Sequence, residues 1–174
     1  MLPGRHKGFT LMELVVTLIV LALMTSFALP FMSNGVRAYN DTSAGLQTLG
    51  KLRYASERLV RELREVNNTG GGFEITSPLT QNASSITFTR SDGITTVTVS
   101  DAAPSLLLAY STVAGGANFT LSDELSSVRF NFYRSDGITQ ATAVDNLAYV
   151  EFEVVLNDGN TYAQRSRVAL RNRP

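Results

Sequence analysis

The chain has 174 residues, with 15 Lys and Arg against 15 Asp and Glu, and this formal net charge of zero gives no electrostatic footprint for nucleic acid. It contains no cysteine, which excludes a disulfide framework and a thiolate metal site. The single histidine, His6, stands next to the N-terminus, so the commonest general base and metal ligand is missing from everything downstream.

The first element is apolar. From Phe9 through Leu29 the chain runs 21 residues with one charge, Glu13. At about 1.5 Å per residue, that is enough helix to cross a hydrocarbon core roughly 30 Å thick. Arg5 and Lys7 precede it, and the positive-inside rule then predicts a cytoplasmic N-terminus with the rest of the chain across the membrane. A secretory signal is cut behind its apolar region at small residues, but Met24 to Met32 offers no such site. The small residue here is Gly8, in front of the apolar run. Glu13 is costly inside lipid, by at least a few kcal/mol, unless it finds a partner or reaches water at the cytoplasmic end.

Gly8-Phe9-Thr10-Leu11 followed by Glu13 closely resembles the class III prepilin signal of type IV pilins and of type II secretion pseudopilins, over about the first thirty residues. The resemblance implies cleavage between Gly8 and Phe9 by the prepilin peptidase, N-methylation of Phe9, and residence in the inner membrane beside an assembly platform. It further implies packing with other pilin or pseudopilin subunits through the N-terminal helix, with Glu13 meeting the new amine of the adjacent subunit. On this reading residues 1–8 are leader, 9–29 span the membrane, 30–69 continue the helix and 70–174 form a periplasmic domain. Cofactors, metals and an enzymatic activity are not expected. Two other classes stay open: an uncleaved single-pass protein presenting a periplasmic binding module, and an anchored periplasmic enzyme, which would need a convergent polar pocket.

Pro30 falls inside the continuing helical pattern, where it removes one backbone hydrogen bond and predicts a kink, or else a break at the membrane exit. From about Val36 to Val66 the pattern is amphipathic, with Leu49, Leu52, Leu59, Leu63 and Val66 as the apolar stripe and Ser56 filling the gap. Lys51, Arg53, Glu57, Arg58, Arg61, Glu62, Arg64 and Glu65 are expected on solvated faces, with Glu57–Arg61 and Arg58–Glu62 as i,i+4 pairs. Asn67-Asn68-Thr69 and Gly70-Gly71-Gly72 are expected to end the helix, giving a single element from Phe9 to Val66. The stretch Tyr54 to Arg64 resembles the helix of J-type pseudopilins and of W-type or mannose-sensitive-haemagglutinin minor pilins. That resemblance, and the absence of the disulfide many major pilins carry, imply a minor subunit near the filament tip.

After Gly72 the periodicity becomes alternating. Strands are predicted at Ser85–Arg90, Thr95–Ser100, Leu106–Tyr110, Val128–Tyr133, Leu147–Leu156 and Thr161–Leu170, with hairpin turns at Ser91-Asp92-Gly93 and Asn157-Asp158-Gly159-Asn160. The fold class is therefore α+β: a long N-terminal helix packed on a C-terminal antiparallel sheet. Phe88 to Thr95 is echoed by Phe132 to Thr139, both containing Arg-Ser-Asp-Gly-Ile-Thr, and duplicated turn chemistry explains the echo.

Other signals fail. Gly45 to Lys51 nearly spells a phosphate-binding loop, but Leu52 replaces the magnesium-binding hydroxyl and the segment reads as helix. Glu151 with Glu153, or Asp123 with Glu124, have no spacing that specifies acid–base chemistry, and Asp123, Glu124, Asp136 and Asp158 do not follow a calcium-loop pattern.

Overall fold

The computed structural model describes residues 8–111 and 118–170, so Arg5 and Lys7 lie outside the described residues. It is an α+β arrangement: helix α1 (Leu11–Leu63) is followed by β1 (Ser85–Thr89), β2 (Thr96–Ala102), β3 (Ser105–Tyr110), β4 (Asn118–Ser122), β5 (Leu125–Tyr133), β6 (Tyr149–Asn157) and β7 (Thr161–Ala169). The described residues divide into two compact units, one up to Ser43 and one from Ala44 onward, and α1 contributes to both.

The helix is shorter than the sequence predicts at both ends. Thr10 stays outside it as the cap, and at the other end Val66 bridges Arg90 while the Asn67 amide donates to the Thr89 carbonyl at 2.8 Å. Pairing with the end of β1 thus takes the chain out of the helix before the glycines are reached. Gly70, at φ 83°, instead turns the chain so that Asn68 bridges Phe73, with its amide on Asn68 Oδ1 at 2.9 Å. At Pro30 the helix continues without interruption, so the chain does not break there.

All strand pairings are antiparallel, in a four-stranded sheet ordered β1-β2-β3-β4 and a three-stranded sheet ordered β5-β6-β7. The sequence reading missed β4, a five-residue strand whose NFTLS alternates poorly. It also missed the tight β2–β3 turn at Ala103-Pro104, where the peptide bond is cis. The facing edges of the two sheets are closed by connecting segments. Residues 74–76 pair with β1, and Ala83 exchanges two backbone hydrogen bonds with Phe130 of β5 at 3.1 and 2.8 Å.

One apolar cluster holds this unit together. Leu52, Ala55, Leu59 and Leu63 of α1 join Ile86, Phe88, Val97, Val99, Leu106 and Leu108 from the first sheet and Phe130, Phe132, Val150, Phe152, Val154 and Leu156 from the second. The alternation predicted for β6 holds, since Val150, Phe152, Val154 and Leu156 are fully buried. The stripe predicted on α1 holds from Leu52 onward, with Leu52, Ser56, Leu59, Leu63 and Val66 all buried, and departs only at Leu49. Leu49 is 45% exposed, whereas Thr48, Ala55 and Glu62 are buried with Leu52 and Leu59.

The internal echo has a physical basis. In each copy the aspartate Oδ1 accepts the amides two and three residues on, at 2.9 and 2.8 Å, for Asp92 and for Asp136 alike. Gly93 and Gly137 both sit at φ 69°. Hydrogen bonds from the Thr95 hydroxyl and from the Thr95 and Ile94 amides hold the Asp92 carboxyl down at about 2. The copies differ beyond the turn: the first runs into β2, while the second gives only a bridge between Tyr133 and Gln140.

Candidate functional site

Gly8, Phe9 and Thr10 precede α1 in non-helical conformation, and all three are exposed. The Gly8–Phe9 bond therefore lies in exposed, non-helical chain. Thr10 begins the helix. Its carbonyl accepts the amides of Glu13 and Leu14 at 3.1 and 3.2 Å, and its Oγ1 lies 3.3 Å from the Glu13 amide. Thr10 thus caps the helix through the Glu13 main-chain amide, a role for Thr10 that the sequence reading did not consider. In the first turn the negative charge of Glu13 also favours the helix dipole. Among the described residues nothing pairs with the Glu13 carboxylate.

The residues after it form an apolar surface with none of the described residues packed against it. An 18-residue window reaches a mean hydropathy of 2.4 with none of its residues buried. The hydroxyls in this stretch are satisfied internally: Thr17 donates to Leu14 O at 2.8 Å, Thr25 to Leu21 O at 2.8 Å and Ser26 to Leu23 O at 2.7 Å. Such back-bonding keeps polar groups from facing lipid unpaired. Pro30, without an amide hydrogen, cannot donate to the Ser26 carbonyl one turn back.

In the second unit, α1 is seated on the sheets by polar groups as well as by the core. Glu62, 2% exposed, accepts 2.7 and 2.9 Å contacts on Oε1 from the Tyr110 hydroxyl and Arg58 Nη2, with Arg90 Nε 3.8 Å from Oε2. Burial, and then donation to Glu62, push the Tyr110 hydroxyl above its ordinary pKa. The predicted Arg58–Glu62 pair is present, but it is a buried anchor rather than solvated scaffolding. Glu57 pairs with Arg53 at 2.8 Å and not with Arg61.

A second cluster ties α1 to two turns. Lys51 Nζ contacts Asp123 at 2.7 Å and Glu124 at 2.5 Å, and the Thr48 hydroxyl lies 2.6 Å from Glu124 and 3.0 Å from Asp158. A hydroxyl has one proton, so Thr48 donates to one of these carboxylates at a time. Hydrogen bonds to Asp123 and then Glu124 raise the Lys51 pKa, and Lys51 lowers that of Asp123. The acids that sequence reading weighed for calcium are thus brought together in part, already engaged by a cation and a hydroxyl. Asp136 sits apart in its own turn, and no group of three His, Cys, Asp or Glu poised for a metal occurs among the described residues.

Glu151 also departs from expectation. It is buried beneath Arg167, whose Nη2 and Nε reach it at 2.8 and 3.2 Å, while Arg167 Nη1 donates to the Gly137 carbonyl at 2.9 Å and the guanidinium lies 4.7 Å from the Tyr133 ring centre. Arg167 therefore fixes the second Ser-Asp-Gly turn.

Residues 4–29 match the family model of the prokaryotic N-terminal methylation motif. This supports a prepilin-type signal of the type IV pilin and pseudopilin kind, with processing by a peptidase and assembly with other pilin subunits. The apolar helix and the motif together fit anchoring in a membrane. No curated protein matches the chain.

Proposed function

We propose that this protein is a minor pilin or pseudopilin, a non-enzymatic structural subunit that enters or primes a type IV pilus or a type II secretion pseudopilus. The observation that carries the reading is the methylation motif at residues 4–29 at the start of a helix with an 18-residue apolar window, none of it buried among the described residues. In this reading the peptidase cuts at Gly8–Phe9, Phe9 is methylated, and the Glu13 carboxylate receives the amine of a neighbouring subunit's Phe9. An ionised carboxylate in lipid is expensive alone, so the pairing fixes the axial position of each incoming subunit. Before assembly the protein stands in the inner membrane with its N-terminus cytoplasmic and its β domain periplasmic.

Mass spectrometry of the N-terminus of protein purified from cells that process other prepilins tests this. The expected product begins at a methylated Phe9. Recovery of the chain still beginning at Met1 would overturn the reading and favour an uncleaved single-pass protein with a periplasmic binding module.

A further inference from the structure

An apolar helix in lipid runs as far as its backbone allows, because each amide there must be bonded within the chain. Its first residue is set by which carbonyls take the leading amides. If α1 began one turn earlier, the Met12 amide would bond to the Gly8 carbonyl and the Glu13 amide to the Phe9 carbonyl, each four residues back. Neither bond is made. The Glu13 amide goes to Thr10 instead, 3.1 Å from its carbonyl and 3.3 Å from its Oγ1, and no described residue bonds to the Gly8 carbonyl.

The neighbouring sequence offers no other stop at this point. Gly8 disfavours helix, but α1 starts at Leu11 with Phe9 and Thr10 still between them. Phe9, Leu11 and Met12 all tolerate helix, and no proline stands between Gly8 and Leu29. The Thr10 hydroxyl, competing with the Phe9 carbonyl for the Glu13 amide, is what ends the helix here.

We propose that Thr10 is a positioning residue for processing: by holding the Glu13 amide it starts the helix at Leu11 and keeps the Gly8 carbonyl free for the peptidase. This rests on the reading that Gly8–Phe9 is the bond cut. Hydrolysis adds water across that amide and breaks its C–N bond, leaving a carboxylate on Gly8 and an ammonium on Phe9. Charge develops on the Gly8 carbonyl oxygen as water adds, and the peptidase must bring donors to it. A carbonyl held by the Met12 amide has one such place taken and its peptide plane turned along the helix axis. Thr10 acts through the Glu13 amide and needs no contact with the reacting atoms.

The test is cleavage of the full chain in detergent by purified prepilin peptidase, read by mass spectrometry, for wild type and for Thr10→Ser, Thr10→Asn, Thr10→Val and Thr10→Ala. Serine and asparagine cap helices at least as well as threonine, whereas valine keeps its shape without the hydroxyl and alanine favours helix. The kcat/KM is expected to hold for Thr10→Ser and Thr10→Asn and to fall about fivefold or more for Thr10→Val and Thr10→Ala. In the two slow variants the Met12 amide should also exchange its hydrogen more slowly, since it then binds the Gly8 carbonyl. Equal cutting of wild type, Thr10→Val and Thr10→Ala overturns this inference alone, and an uncut wild type overturns the reading beneath it as well. Slow cutting with unchanged exchange at Met12 would assign the hydroxyl to a direct contact with the peptidase and overturn the positioning role. So would a Thr10→Asn variant as slow as Thr10→Ala.

Discussion

The Tyr110 hydroxyl donates a 2.7 Å hydrogen bond to the Glu62 carboxylate across the junction of α1 and β3, beneath two arginines. Removing the acid takes the acceptor from the Tyr110 hydroxyl and the partner from Arg58, which is about a third exposed, so Glu62→Ala is expected to cost about 2–3 kcal/mol in urea unfolding. Tyr110→Phe removes one of several donors and is expected to cost about 1 kcal/mol. Equal effects of the two changes would show that Glu62 is not the centre of this network.

Glu13 separates cap from charge. The bonds to Thr10 come from the Glu13 main-chain amide, so Glu13→Gln should leave the start of α1 and membrane insertion intact while removing the negative charge. If the proposed pairing with a neighbour's amine holds, incorporation into sheared filaments falls about tenfold or more while the amount in membranes is unchanged. Unaltered incorporation contradicts the pairing.

The Ser-Asp-Gly turn predicts an acid dependence. The Asp92 carboxyl titrates at about 2 when folded against 3.8 when free, so the stabilisation it gives is complete above the free value. It is lost as the pH falls toward the folded value. The melting temperatures of wild type and Asp92→Asn should therefore differ at about pH 5 and converge near pH 2. A constant difference across that range would show that the ionised form is not what the turn selects.

Two glycines of α1 should respond with opposite signs. A Cβ at Gly45 would stand 2.5 Å from the Tyr162 hydroxyl, whereas one at Gly50 meets nothing within 4 Å. Gly50→Ala is expected to stabilise by about 0.5–1 kcal/mol through helix propensity. Gly45→Ala should destabilise by about 1 kcal/mol because the ring must move, and Tyr162→Phe in the same chain should restore the lost stability. Thermal unfolding of the three variants checks this.

The α+β class, most strands and the Asp-Gly turns were legible in the sequence because each rests on a local signal: period two, turn chemistry, or a long apolar run. The stripe on α1 was legible from Leu52 to Val66, and only Leu49 was placed one residue away, because Thr48, Leu52, Ala55, Leu59, Glu62 and Val66 form a line of spacings four and three as regular as the line through Leu49. Small and polar members hid it. Glu62 could have been found by extending that line, since an acid inside an apolar periodicity implies a partner. Its partners Tyr110 and Arg90 could not, because they come from β3 and from just past the end of β1, both distant in sequence. Glu151 was misjudged for the same reason: alternation puts it on the outer face, and only the β6–β7 register brings Arg167 over it. The proposed assembly residues rest on the motif, and the role of Thr10 could have been read from the T-x-x-E spacing.

The chain closes its two sheets together with the exchanged Ala83 and Phe130 backbone bonds and has no cysteine. Its β domain thus owes nothing to thiol oxidation, and a reducing cytosol or added dithiothreitol should leave its near-ultraviolet circular dichroism unchanged. The unfolding measurements above therefore need no oxidising buffer.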